Sequence, residues 1–391
     1  MAHALVFGAS GILGWAVVDQ ILKNYPQKGT FSKVTALTNR PLDLQDSQWP
    51  EPGGTNPELA LVSGVDLTRG TVEDIKQQLK ERVPDIGTVT QIFYFAYIFH
   101  PDFPTEQDIN VAMFDRGFVA AEALAPNLSY VILPTGTKGY GIHQPKRPFK
   151  APFDEAMNDI PQPYRDVLFY FALRDRLDAL QKGKRWKWAE VRCDIVVGFL
   201  PHSNPYNLAG FFINYLSLVA FVQGRGAKVP YPGHPDGWHT LSNDGGQDTV
   251  ARFSLYLSVN PDKAGTSELY NIADTSDGYP MSAKWPAICE YFGLVGVPPL
   301  PLGDPTYVSP AQYLEQHKEE LRQMESQLGN KIQQVDLMTG LDIWLMNFDF
   351  DHHLALGKAR SVGFVEEGTV TGSWIQTFDR YRAARKLWVA S

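Results

Sequence analysis

Sulfur chemistry is scarce in this chain, with two cysteines in 391 residues. Cys193 and Cys289 lie in apolar surroundings, which excludes a disulfide framework or a thiolate zinc site and predicts buried free thiols. His352-His353 has no third ligand at a metal-binding spacing, so no metal is expected. There is no long basic block. Lys182–Lys187 is short and reads as the solvated end of a helix. Lys and Arg number 35 against 43 acidic residues, a net charge of −8, which argues against nucleic acid as a partner. No apolar run is suited to a bilayer, and no membrane partner is expected. The strongest run, Leu208–Val222, is broken by Asn214 and Ser217 and reads as a buried helix or the face of a homodimer. No basic segment or cleavage site precedes the first apolar run, so a cytoplasmic protein is expected. Internal repeats and low-complexity segments are also missing.

What is present begins with glycine. Gly8-Ala-Ser10-Gly11-Ile12-Leu-Gly14 follows the apolar run Ala4–Phe7 and precedes a helical apolar pattern at Ile12, Ala16, Val17, Ile21 and Leu22. This reads as strand, tight turn, helix. Such a turn lets the backbone approach a pyrophosphate, and the helix N-terminus offers free N–H groups to the anion. A glycine-rich turn alone is weak evidence; its place after the first strand strengthens it.

The first half continues in alternation. Strands are expected at Lys33–Thr38, Leu59–Ser63, Gln91–Tyr97, Tyr130–Leu133 and Trp188–Val197. Helices are expected at Thr71–Glu81, around Asn110–Ala123 and at Val167–Gln181. This pattern predicts an α/β fold of the Rossmann type, a doubly wound parallel sheet. Residues 1–200 are assigned to it, and residues 201–391 to a smaller, mostly helical substrate lobe with some segments returning to the sheet. In that half Glu268–Ile272 reads as a strand and Ser282–Phe292 as a helix. Ser309-Pro310 opens a charged helix to about Leu328, with Ser at the N-cap and Pro at the first helical position.

The second strand ends Thr38-Asn39-Arg40-Pro41. An NAD-binding fold places an acid here for the ribose 2′-hydroxyl. Arg40 without an acid instead suits the 2′-phosphate of NADP. Asp66-Leu67, after the third strand, reads either as an adenine neighbour or as a simple cap.

No tyrosine has a lysine four residues on, so the usual catalytic pair of short-chain dehydrogenases is missing. Two other segments stand in its place: Thr135-Gly-Thr-Lys138-Gly-Tyr140 and Leu168-Phe-Tyr170-Phe171. Here the chain resembles the progesterone 5β-reductase/iridoid synthase-like family, an atypical branch of the extended short-chain dehydrogenases. The resemblance extends to Phe93–Tyr97, to Val191–Phe199 and to Lys358–Phe364. It implies Lys138 and Tyr170 as catalytic residues. It implies NADPH as cofactor, held by Gly8, Ser10, Gly11, Ile12, Gly14, Asn39, Arg40, Asp66, Leu67, Ala96, Val196 and Ser203. It implies reduction of a C=C bond conjugated to a carbonyl in a small apolar substrate, with Tyr170 stabilising the enolate oxygen and Lys138 favouring the tyrosinate. Tyr97, His143, Phe348 and His352 are candidates for the substrate pocket. The family's asparagine, second tyrosine and proline are replaced by Leu168, Phe171 and Cys193. Arg174, at the position of the ordinary lysine, is an alternative cation for Tyr170. Two other readings stay open: a carbonyl reductase, epimerase or dehydratase of the same superfamily, and a regulatory protein that binds NADP without turnover.

Overall fold

The computed structural model describes residues 1–51, 57–202, 207–332 and 338–390, without the side chains of residues 338, 339 and 341. Seven strands make the main sheet: β1 (Ala2–Phe7), β2 (Phe31–Thr38), β3 (Glu58–Ser63), β4 (Gln91–Tyr94), β5 (Tyr130–Gly136), β6 (Lys187–Cys193) and β7 (Glu268–Ile272). Their order is β7-β6-β5-β4-β1-β2-β3, and every neighbouring pair is parallel. This is the doubly wound Rossmann arrangement. The order reverses between β1 and β4, and the crevice beyond the carboxyl ends of those strands is where such sheets bind ligands.

The central strands are nearly continuous apolar runs because helices cover both faces. On one face lies α1 (Ile12–Leu22), packed against a helix at Gln247–Val259. On the other lie helices at Val72–Arg82, Phe103–Leu124 and Phe169–Gln181. Thr71 caps the first of these three in a reciprocal box with Asp74, as its sequence predicts. Both cysteines are buried and free.

Several boundaries differ from the sequence reading. The fourth strand stops at Tyr94 rather than Tyr97, and the chain leaves the sheet to meet the glycine turn. The helix expected at Asn110 begins at Phe103, because the Asp102 side chain accepts from the Thr105 amide and Pro104 fits the first turn. The sixth strand ends at Cys193; Val196–Val197 pairs separately with Gly245–Gly246. Leu168 is extended and splits the helix expected from Val167. The charged helix is two, Pro310–Gln316 and Lys318–Leu328, divided at His317.

The second half contributes β7 to the sheet and otherwise packs helices around Leu208–Gln223. Residues 208–220 of that helix are all buried within the single chain, so its apolar character is accounted for by the core. Phe212, Trp285, Trp374 and Phe378 form its aromatic centre, with ring centroids 5.0 to 6.1 Å apart. The C-terminal helix Gly372–Ala383 docks on α1 through Arg380, which pairs with Asp248 at 2.7 Å and Asp19 at 3.3 Å.

Candidate active site

The glycine end of the crevice is shaped by backbone. Gly8 has φ +71°, and a Cβ there would stand 2.5 Å from the Phe95 carbonyl oxygen. A Cβ on Gly14 would stand 2.3 Å from the Gly8 oxygen. Neither position accepts a side chain. Gly11 is the N-cap of α1 and supplies no side-chain cap, so the first turn has no side chain of its own covering it; Ile12, its first residue, is buried. The segment Phe95-Ala96 runs directly over Gly8, which brings Ala96 to the turn. A backbone cradle with uncapped N–H groups fits a dinucleotide pyrophosphate.

The remaining cofactor candidates flank this turn. Asn39 and Arg40 are exposed past β2, where the Thr38 hydroxyl donates to the Arg40 carbonyl at 2.7 Å. Asp66 accepts from the Thr68 amide at 2.9 Å and its hydroxyl at 2.6 Å, bonds that lower its pKa. Leu67 turns its side chain into the core against the Gly117 position, and its carbonyl accepts from Arg116 at 3.0 Å. Val196 is half-buried just beyond β6. Ser203 lies outside the described residues.

The opposite end is built from side chains. β5 runs to Gly136, and a tight turn, Thr137–Tyr140, carries Lys138. The Tyr170 hydroxyl lies over that segment, 3.4 Å from where a Cβ on Gly136 would be. The Glu106 charge acts on both Lys138 and Tyr170. Lys138 Nζ stands over the rings of Phe103 and Phe99, at 5.4 and 5.8 Å. Burial lowers the Lys138 pKa and Glu106 opposes that shift.

Burial raises the Tyr170 pKa; the neighbouring Cys193, Glu106 and Glu190 add to this and Arg192 opposes it. These effects favour the protonated phenol over the tyrosinate. Arg174 is engaged elsewhere, with Nε 3.2 Å from Glu190 Oε2. The cation whose field lowers the tyrosine pKa is Arg192, fully buried, with Nη2 2.6 Å from Glu190 Oε1 and its guanidinium 4.5 Å from the Tyr140 ring. Glu190 also accepts from the Thr135 hydroxyl.

Of the four pocket candidates, Tyr97 and His143 lie beside Glu106 and Phe103, and His352 and Phe348 connect to this end through Asp194 and Thr137. Tyr97 donates to Glu106 at 2.6 Å and stacks on Phe169 at 5.3 Å. The His143 ring is 5.1 Å from Phe103, and burial with the Lys138 charge pushes its pKa down to about 4. His352 Nδ1 is 2.8 Å from Asp194 Oδ2, and the other Asp194 oxygen accepts from Thr137 at 3.5 Å. Phe348 packs on His352 at 4.7 Å.

Sequence reading did not find Glu106, Glu190, Arg192 or Asp194 as site residues. Glu190 and Arg192 left a trace, two charges among the otherwise apolar residues 188–193 of a sheet covered on both faces. Glu106 left none, since an acid in the first turn of a helix is ordinary.

The model of the PRISE-like Rossmann-fold domain matches residues 4–388. The chain belongs to this family. A short chain dehydrogenase of Aspergillus calidoustus, ausT, is 34% identical over 97% of this chain and 92% of that protein. The 3-oxo-Delta(4,5)-steroid 5-beta-reductase of Arabidopsis thaliana is 24% identical, over 74% of this chain and 69% of that protein. A solved UDP-glucose 4-epimerase from Thermus thermophilus shares the fold, with a TM-score of 0.55 at 16% identity over 98% of this chain and 99% of that one. This PRISE-like protein is thus an oxidoreductase of the short-chain dehydrogenase/reductase type, built on a Rossmann-fold domain. Among its described residues, no helix is long and apolar enough to cross a membrane.

Proposed function

We propose that this protein is an NADPH-dependent reductase of a C=C bond conjugated to a carbonyl, acting on a small apolar metabolite. The observation that carries this reading is the Tyr170 hydroxyl set over the Gly136 backbone, in the segment that bears Lys138. NADPH would lie with its pyrophosphate on Gly8, Ser10, Gly11, Ile12 and Gly14. Asn39 and Arg40 would face its ribose phosphate, Asp66 and Leu67 its adenine, and Ala96 and Val196 its nicotinamide half. When bound, this cofactor supplies a hydride.

The protein's own part is electrostatic. Negative charge grows on the carbonyl oxygen of an enone as its β-carbon accepts a hydride. A neutral, buried Tyr170 donates a hydrogen bond to that oxygen, and burial makes the bond stronger than in water. Lys138 adds positive potential beside it. The aromatic side chains Tyr97, Phe99, Phe103 and Phe169 leave little for a polar substrate to bond to, which favours an apolar one. The relatives named for reductase and dehydrogenase activity support the same direction.

The test is product identity. Purified protein, NADPH and a panel of α,β-unsaturated aldehydes and cyclic enones should give saturated carbonyl compounds by NMR. Allylic alcohols as the product would replace this reading with carbonyl reduction. Tight NADPH binding with no oxidation across the panel would replace it with a non-catalytic binding protein.

A further inference from the structure

A second feature of the cofactor crevice comes from the far end of the chain. A cleft of about 430 Å³ opens beside the glycine turn, and its walls include Ser10, Arg40, Asp46, Pro201, His202 and Lys386. Three of these side chains are basic. Arg40 comes from the end of β2, His202 from the loop after Val197, and Lys386 from the segment after the C-terminal helix. Asp46 is the acid among the lining residues.

The placement of Lys386 is built into the fold. Helix Gly372–Ala383 ends with Arg385 in the left-handed region, φ +57°, and the Lys386 amide bonds back to the Tyr381 carbonyl at 2.9 Å. This helix stop aims the next side chain away from the helix axis. Lys386 Nζ then donates to the Pro201 carbonyl. The same helix holds the loop through the Tyr381 hydroxyl, which accepts from the Leu200 amide at 3.3 Å and from Asn207 at 3.0 Å. His202 lines the cleft together with Ser10, and burial with the charges of Arg40 and Lys386 lowers its pKa. Glycine turn, second-strand tip and C-terminal segment thus converge on one cleft.

We infer that Lys386, with His202 beside it, is a specificity-determining residue that holds the ribose 2′-phosphate of NADP together with Arg40. This rests on the NADPH reading above and extends it to residues that the glycine turn and the second strand do not supply. A 2′-phosphate carries up to two negative charges. One exposed arginine faces it through solvent, whereas a half-buried lysine anchored on a carbonyl loses less entropy on binding and is screened less. The ribose hydroxyl of NAD offers no charge to either cation.

Equilibrium titrations of the full-length protein test this without turnover, with NADPH and NADH as ligands and 2′,5′-ADP and 5′-AMP as fragments. For Lys386→Met the affinities for NADPH and 2′,5′-ADP should fall about tenfold or more, while those for NADH and 5′-AMP stay within twofold. Lys386→Arg should recover most of the loss. His202→Gln, which leaves the Lys386 anchor in place, should show the same selective loss at about threefold. An equal loss for both members of each pair would overturn the inference, since Lys386 would then be supporting the loop or the pyrophosphate. No loss for either would overturn it too. If the unaltered protein binds NADH as tightly as NADPH, the NADPH reading itself fails. If it prefers NADPH and Lys386→Met keeps that preference, only the role of Lys386 fails.

Discussion

The two ends of the crevice are built by opposite means. At the glycine end the backbone sets the shape. Gly8 and Gly14 approach neighbouring carbonyls so closely that a single methyl would overlap them at 2.5 and 2.3 Å. At the Lys138 and Tyr170 end, side chains from four separate stretches set it: the Glu106 helix, the Lys138 turn, the Tyr170 helix and the Glu190–Arg192 strand. A backbone-built site tolerates no substitution but needs no partner. A side-chain-built site tolerates exchanges at its rim and depends on buried charges being matched. The first kind suits a ligand common to many proteins, and the second suits a substrate that varies from one protein to another.

This contrast is open to direct attack. The largest effect is expected at the backbone-built end. Gly14→Ala puts a methyl on the Gly8 carbonyl, with no flexible side chain to move away, so the cost should exceed about 5 kcal/mol, beyond which single substitutions are exceptional. Thermal unfolding should show a large loss of Tm, and dinucleotide binding should go with it. A Gly14→Ala protein of normal Tm would mean that the turn has slack.

Next comes the floor of the side-chain-built end. Glu190→Ala leaves Arg192 buried with its charge unmatched, which should cost about 3–5 kcal/mol. Denaturant titration measures this, and replacing Glu190 and Arg192 together by apolar residues should recover much of it. If the double replacement is as unstable as the single one, the pair is not the unit described here.

The smallest effect concerns pH. Folded His143 takes up its proton only near pH 4, against 6.5 when unfolded. Between those values the unfolded chain binds a proton that the folded chain refuses. Its contribution to stability is therefore whole above pH 6.5 and is lost as the pH falls toward about 4. His143→Leu should flatten the stability profile in that window and leave it unchanged above pH 7. His3, also lowered to about 4, keeps part of the slope in both proteins. An unchanged slope in His143→Leu would show that His143 is solvated.

How far the sequence alone reaches follows the same division. The glycine turn, the alternation of strands and helices, and the Thr71 and Ser309 caps are local, and local chemistry decided them. The helix start at Phe103 was also local, in Asp102-Phe-Pro-Thr, but an apolar pattern strongest from Asn110 hid it. The upward shift of the Tyr170 pKa was not legible, because desolvation and the charges of Glu106 and Glu190 outweigh Arg192, and burial exists only in the folded chain. Arg174 holds the position of the familiar lysine in sequence yet spends its charge on Glu190. Lys386 belongs with Arg40 only through the docking of the C-terminal helix on α1.

The central claim is that the backbone end holds the cofactor while Tyr170, as a neutral phenol, performs the work on the substrate. Tyr170→Phe removes one hydroxyl and leaves the glycine end untouched. The direct measurement is dinucleotide affinity and turnover on the same Tyr170→Phe preparation, with an enone that the unaltered protein reduces. Affinity should stay within twofold while turnover falls by about 10²–10³. Turnover equal to that of the unaltered protein would contradict the account.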